Sequence, residues 1–178
     1  MYVSEVKTTA PLEYKNALQK EVYDTLQKLK IPFWRVETGL AVSMEDCIEM
    51  NKRLDMEMVK TLLLCNRQQT EFYLYIIPAD KKFNAKEFSN ALGIPRVEFA
   101  PANLFEEVLN TVVGAATIFS VLLDKDNQIK IVIDKQLTQD EWFGCCDGIN
   151  TGFIKIQTTH ILNDFLSYVK RSPIILEI

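Results

Sequence analysis

VKTLLLCNRQQTEFYLYII, residues 59–77, decides the fold class. Two apolar runs, Val59 to Cys65 and Glu71 to Ile77, flank the polar stretch Asn66 to Thr70, and that arrangement predicts a pair of strands joined as a hairpin. In strict alternation Val59, Thr61, Leu63 and Cys65 share one face, and Lys60, Leu62 and Leu64 share the other. A lysine on a face with two leucines either sits at a sheet end with its ammonium reaching water or points into a cleft. The pattern leaves both open.

Toward the N-terminus, residues 11–30 read as an amphipathic helix with Leu18, Val22, Leu26 and Leu29 on one stripe, ended by Pro32. Residues 1–20 are expected to form an N-terminal helical extension. Phe33 to Val42 reads as extended chain interrupted at Gly39. Ser43 with Asp46 resembles a capping box opening a helix to about Leu54, with Cys47, Ile48 and Leu54 facing inward.

Toward the C-terminus, Asn84 with Glu87 caps a short helix ending near Gly93, and Arg96 to Phe99 reads as a short strand. Pro101 opens a helix carrying Leu104, Phe105, Val108 and Leu109. The corner Gly114-Ala115-Ala116-Thr117 leads into an expected strand, Ile118 to Leu123, which the turn at 124–127 joins to Gln128–Ile133 as a second hairpin. Then come a glycine-punctuated loop at 144–152, a strand Phe153 to Ile156, a helix to about Lys170 with Thr158 or Thr159 as N-cap, and a last strand Ile174 to Glu177. Hairpins interspersed with helices, without a steady β-α-β rhythm, predict a mixed α/β (α+β) domain over residues 1–178.

Composition narrows the function classes. Hydrophobic residues are 48% and charged residues 25% of 178, the balance of an ordinary globular chain. No apolar run approaches a membrane span, and the N-terminus shows no apolar signal core, so a cytoplasmic protein without a membrane partner is expected. The four cysteines have no metal-type spacing, and His160 is the one histidine, so neither a metal nor a disulfide framework is expected. With no second imidazole, a Ser-His-Asp or Cys-His engine would depend on His160, which reads as a helix-start or surface residue. Nucleotide-binding and metalloprotease motifs are absent, so no cofactor is expected. A net charge of −4 offers no overall field for nucleic acid; DNA is not expected, and RNA would need a local patch or a partner. The small-residue loops at 114–117 and 144–152 either make turns or let backbone N–H groups approach a ligand anion.

The order of KTLLL after Val59, the strand ending IIPAD, the segment Arg96-Val97-Glu98-Phe99-Ala100 and the run VGAATIFSVLLD ending at Asp124 resembles the YbaK-like aminoacyl-tRNA deacylase family, from about Val22 onward. That family includes the editing domain of bacterial prolyl-tRNA synthetases and its free-standing relatives. The resemblance implies a mixed, mostly antiparallel sheet wrapped around a cleft, and hydrolysis of wrong amino acids, most often alanine, from mischarged proline tRNA. Prolyl-tRNA synthetase would be a further partner. Lys60 matches the family's key lysine, and Gly114, Ala115, Ala116 and Thr117 match the loop that cradles the aminoacyl ester. Ile118 stands where the family has proline. Asn150 and Thr151 fit a later substrate loop with Gly148, whereas Cys146 and Asp147 replace its histidine and proline. Within this reading water attacks the ester, Lys60 is catalytic, and Cys146 shapes the pocket. A thiol nucleophile or redox pair at Cys145-Cys146 is the alternative chemistry, and a non-catalytic member binding aminoacyl-tRNA or a synthetase is the alternative function.

Overall fold

A computed structural model describes residues 1–178. The hairpin signal is realised: β2 (Lys60–Cys65) and β3 (Phe72–Ile77) pair antiparallel with Leu63 opposite Leu74. β2 also pairs antiparallel with β4 (Glu98–Phe99), and β3 runs parallel to β5 (Ile129–Asp134), which runs parallel to β8 (Ile174–Leu176). The result is a mixed five-stranded sheet of order β4-β2-β3-β5-β8. A second, antiparallel sheet has order β1-β7-β6, from β1 (Trp34–Glu37), β6 (Trp142–Cys146) and β7 (Gly152–Gln157).

Helices cover both faces of the larger sheet. α1 (Ala17–Lys28) buries Leu18, Val22, Tyr23 and Leu26 in the main core with Leu63, Leu74 and Ile131. α3 (Ala85–Leu92) covers the opposite face, where Phe88 packs with Leu64, Tyr73 and Tyr75. Its ends follow the sequence signals: the Asn84 side chain accepts from Lys86 and Glu87 N–H, and Gly93 closes the helix at φ 64°. α4 (Ala102–Leu109) begins after Pro101, and α5 (Leu166–Tyr168) continues a π-helical turn, His160–Phe165. No helix is long and apolar enough to cross a membrane.

Several expectations are corrected. The first helix begins only at Ala17, where Asn16 accepts from Gln19 N–H. The chain before it is extended rather than a helical extension: Lys7 and Arg35 exchange backbone hydrogen bonds, and Ser4 N–H donates to Glu37 O. Ser43 and Asp46 do make a reciprocal box, but it opens a 3-10 turn, Glu45–Cys47, before α2 (Ile48–Leu54). That turn rotates the register, leaving Ile48 50% exposed while Met50 is fully buried. Ile118–Leu123 is a 3-10 helix, not a strand, because Thr117 and Ser120 form a capping box at its start. The second hairpin is therefore absent, and β5 finds its partner in the distant β3. Trp142–Cys146, expected largely as loop, is a strand because β7 supplies a complete ladder. Neither Thr158 nor Thr159 caps the last helix; the Thr158 hydroxyl is buried without a partner.

Candidate functional site

The two sheets meet at a narrow seam. Met58 forms a parallel bridge with Gly144, and Val59 N–H donates to Gly144 O at 2.8 Å. Glycine keeps this approach close: a Cβ at 144 would make the flexible Met56 thioether swing aside and would lie 3.2 Å from Glu57 O. Beside the seam lies a pocket of about 360 Å³, lined by Val59, Lys60 to Leu63 of β2, Cys145 and Cys146 of β6, Gly114, Ala116, the 41–44 loop, Cys47, Phe99, Ala100, Phe105 and Phe153. That volume lies in the range of small-molecule sites. The lining is mostly apolar, and Lys60 is its one charged residue.

Lys60 opens β2 opposite Ile77. Both sequence readings meet here: the lysine is at a sheet end, half-buried, and on the wall of the cleft. Its ammonium donates to the Lys81 carbonyl, and Lys81 in turn pairs with the buried Asp134. Burial lowers the Lys60 pKa from the usual lysine range, with the Asp80 charge acting in the opposite direction.

The 114–117 corner supplies backbone polarity. Ala115 N–H donates to Val112 O at 3.0 Å, whereas the N–H groups of Gly114 and Ala116 serve no acceptor within the chain. Gly114 has φ +89°, and a Cβ there would lie 3.0 Å from Val42 Cγ1 and 3.2 Å from Val42 Cα. Two free N–H groups at the edge of an apolar pocket can hold an oxygen that gains negative charge. Ala115, Thr117 and Ile118 are fully buried and belong to the packing beneath the corner.

Cys146 touches that corner, its thiol donating to Ala116 O at 3.5 Å. Burial pushes the Cys146 thiol up to about 12 and the Cys47 thiol up to about 11, and it raises Cys145 strongly as well. All three are protonated thiols at neutral pH, unsuited to attack. Cys146→Ala and Cys146→Ser are therefore expected to keep ester hydrolysis within about tenfold of wild type, the factor that 1.4 kcal/mol represents, with or without a thiol alkylator. Complete loss in both variants would make Cys146 the nucleophile.

The remaining residues of the 144–152 segment are not among the lining. They form the β6–β7 turn and fasten it to the rest of the fold. Asp147 accepts from the Tyr23 hydroxyl at 2.5 Å and from Gln19 Nε2 at 3.1 Å. Gly148 O accepts from Asn16 Nδ2 at 3.0 Å and Thr111 Oγ1 at 2.9 Å. Asn150 O and Thr151 O take the N–H groups of Ala41 and Thr38. Gly148, at φ +105°, admits α1, because a Cβ would sit 2.9 Å from Leu18 Cγ. His160 pairs with Asp164 at 2.6 Å and lines no part of the cleft.

Asp147 is 1% exposed, and desolvation raises its pKa above the ordinary aspartate value, opposed by the bonds from Tyr23 and Gln19. Between the unfolded and the raised folded value, the folded chain holds a proton that the unfolded chain has lost. Stability therefore falls as pH rises through that window. Asp147→Asn keeps an acceptor for Tyr23 and Gln19 without the charge, and is expected to flatten this decline when urea unfolding is followed from acid to neutral pH. Asp147→Ala should instead lose about 1–3 kcal/mol by orphaning both donors. An unchanged pH slope in the Asn variant would remove Asp147 as its source.

The residues that sequence reasoning missed are Ala41 to Met44, Cys47, Thr61 and the aromatic wall of Phe99, Phe105 and Phe153. Phe99 and Ala100 lay within the Arg96-to-Ala100 segment that carried the family resemblance, and this was the one signal available for them.

Comparison with known proteins shows the family. A family profile described as the aminoacyl-tRNA editing domain matches residues 39–163. The prolyl-tRNA editing protein ProX of Acetoanaerobium sticklandii is 28% identical over 123 residues, covering 67% of this chain and 73% of that protein. Prolyl-tRNA synthetase associated domain-containing protein 1 of Danio rerio is 26% identical over 161 residues, covering 89% and 86%. A crystal structure described as a candidate trans-editing enzyme for prolyl tRNA synthetase superposes with a TM-score of 0.66 at 12% identity, over 93% of this chain and 99% of the other. The profile spans well over half of the chain, and the protein belongs to the YbaK-like aminoacyl-tRNA editing domain family, whose class is the aminoacyl-tRNA deacylases.

Proposed function

We propose that this cleft hydrolyses the ester of mischarged proline tRNA, with alanine as the preferred wrong amino acid, and that the protein acts in the cytoplasm by trans-editing. The observation that carries the proposal is that Lys60, Gly114 and Ala116 line one small apolar pocket, the last two with N–H groups that have no acceptor within the chain. An aminoacyl ester is already activated, so positioning and electrostatic stabilisation can suffice without a protein nucleophile.

In this mechanism the ester carbonyl oxygen faces Gly114 and Ala116 N–H, and a water oxygen attacks the carbonyl carbon. The bond to the terminal ribose oxygen then breaks, the ribose oxygen takes a proton, and the amino acid leaves as its carboxylate. A neighbouring ribose hydroxyl assists the proton transfer, and Lys60 fixes the pose through a phosphate or the ester itself. Each oxyanion donor is worth about 2.7–4 kcal/mol in such sites. The protonated thiol of Cys146 leaves a less polar wall than a histidine would, which suits a methyl side chain. Four free cysteines fit a reducing compartment. With a net charge of −4, the chain benefits from a synthetase that holds the tRNA, and prolyl-tRNA synthetase is the partner proposed.

The test is deacylation of proline tRNA charged separately with Ala, Ser, Cys and Pro. Fast release of alanine and retention of proline are expected. One observation favours the non-catalytic reading: the Lys60 ammonium is already engaged by the Lys81 carbonyl. Binding of charged tRNA with no turnover of any ester would select that reading.

A further inference from the structure

Along the outer strand β4 runs a second, open groove of about 640 Å³. Phe99 lines both. It sits across from Leu64 at the sheet edge, is 61% exposed, and is held edge-on by Phe83 with ring centres 5.2 Å apart. A large aromatic left open to solvent yet held by a second ring is a ready stacking face. The groove also carries Arg67, from the turn between β2 and β3, and Arg96, which precedes β4; Glu98 is its one carboxylate.

The arginines are distributed unevenly. Of the five in the chain, Arg35 is bound to Glu37, Arg53 to the Ser4 carbonyl and Arg171 to Asp124. Arg67 and Arg96 are the two that stay exposed and uncommitted, and both line this groove. A chain with a net charge of −4 has thus placed its free guanidinium groups beside its ester-sized pocket. Guanidinium is the side chain best matched to phosphate oxygens.

We infer that the groove holds the single-stranded 3′ segment of the RNA whose terminal ester enters the cleft, with a base stacked on Phe99 and backbone phosphates on Arg67 and Arg96. The inference rests on the proposed reading of the cleft as an ester site. A terminal nucleotide in the pocket must be followed by phosphates lying outside it, and continuity through Phe99 gives their direction.

The experiment compares alanylated proline tRNA with 3′-O-alanyl-adenosine, which lacks those phosphates. In the Arg67→Gln/Arg96→Gln double variant, kcat/KM for the tRNA ester is expected to fall at least tenfold, about the loss of one good recognition contact. The slope of log kcat/KM on log salt should become less negative by about 1.4, two single-strand phosphate contacts at ~0.7 each. Turnover of alanyl-adenosine should be unchanged. An unaltered salt slope and unaltered tRNA turnover would overturn the inference. If the wild type hydrolyses neither ester, the reading of the cleft fails on its own, and the groove is then judged by binding of a fluorescent single-stranded RNA octamer ending in CCA. Weaker binding by the double variant supports the groove, and equal binding overturns it.

Discussion

Lys60→Ala is expected to lower deacylation of alanylated proline tRNA by well over about tenfold, a loss of more than 1.4 kcal/mol of transition-state stabilisation. Lys60 is the only charged residue on the cleft wall, and a strand with a full antiparallel ladder fixes its backbone. The side chain is only half-buried, so its removal should leave the far-UV spectrum and the urea midpoint near wild type. The charge matters in the protonated form, and burial has lowered the pKa. Activity, corrected for spontaneous ester hydrolysis, should therefore decline with rising pH at a value below the ordinary lysine range. Lys60→Arg should shift or abolish that alkaline limb, because guanidinium does not titrate there. A Lys60→Ala variant with unchanged turnover would reject the role outright.

Gly114→Val should damage activity more than stability. A branched residue at φ +89° is strained by about 1–3 kcal/mol, and its Cβ would press on Val42, which is 58% exposed and has open space on its outer side. The fold can absorb that displacement. The site cannot, because the same shift carries the Gly114 and Ala116 N–H groups away from the carbonyl oxygen they are proposed to hold. A loss of one donor corresponds to about a hundredfold or more in kcat. Gly114→Ala should be intermediate, and Val42→Ala in that background should recover part of the loss by relieving the contact. If Gly114→Val unfolds yet remains active per folded molecule, the glycine serves the turn alone.

The parts of the fold that were legible in the sequence are those with local causes. Two apolar runs flanking a polar stretch gave β2 and β3, Asn84 and Gly93 gave the ends of α3, and Pro101 gave the start of α4. The rest depends on partners remote in sequence. Nothing within Gln128 to Ile133 says that its neighbour is β3 in parallel rather than the preceding segment. Nothing within Trp142 to Cys146 announces a strand until β7 lies beside it. Apolar Ile118 to Leu123 fits a strand by composition, and the Thr117–Ser120 capping box that makes it helical is a weak signal beside such a run. The site divides the same way. Lys60 and Gly114 were visible through resemblance to a family, whereas the 41–44 loop and Phe153 come to the pocket only through tertiary folding.

The seam at Gly144 has a consequence for how this pocket can diversify. One wall, with Lys60, belongs to the five-stranded sheet; the facing wall, with Cys146 and Phe153, belongs to the smaller one, and their strands join through the short contact of Met58 and Val59 with Gly144. Side chains on the smaller sheet can therefore be exchanged without altering the ladder that holds the lysine. On the proposed roles of these residues, selectivity and catalysis occupy separable scaffolds, and a descendant of this chain would acquire a new amino-acid preference through a handful of changes along β6 and β7 while the strand of Lys60 stays as it is.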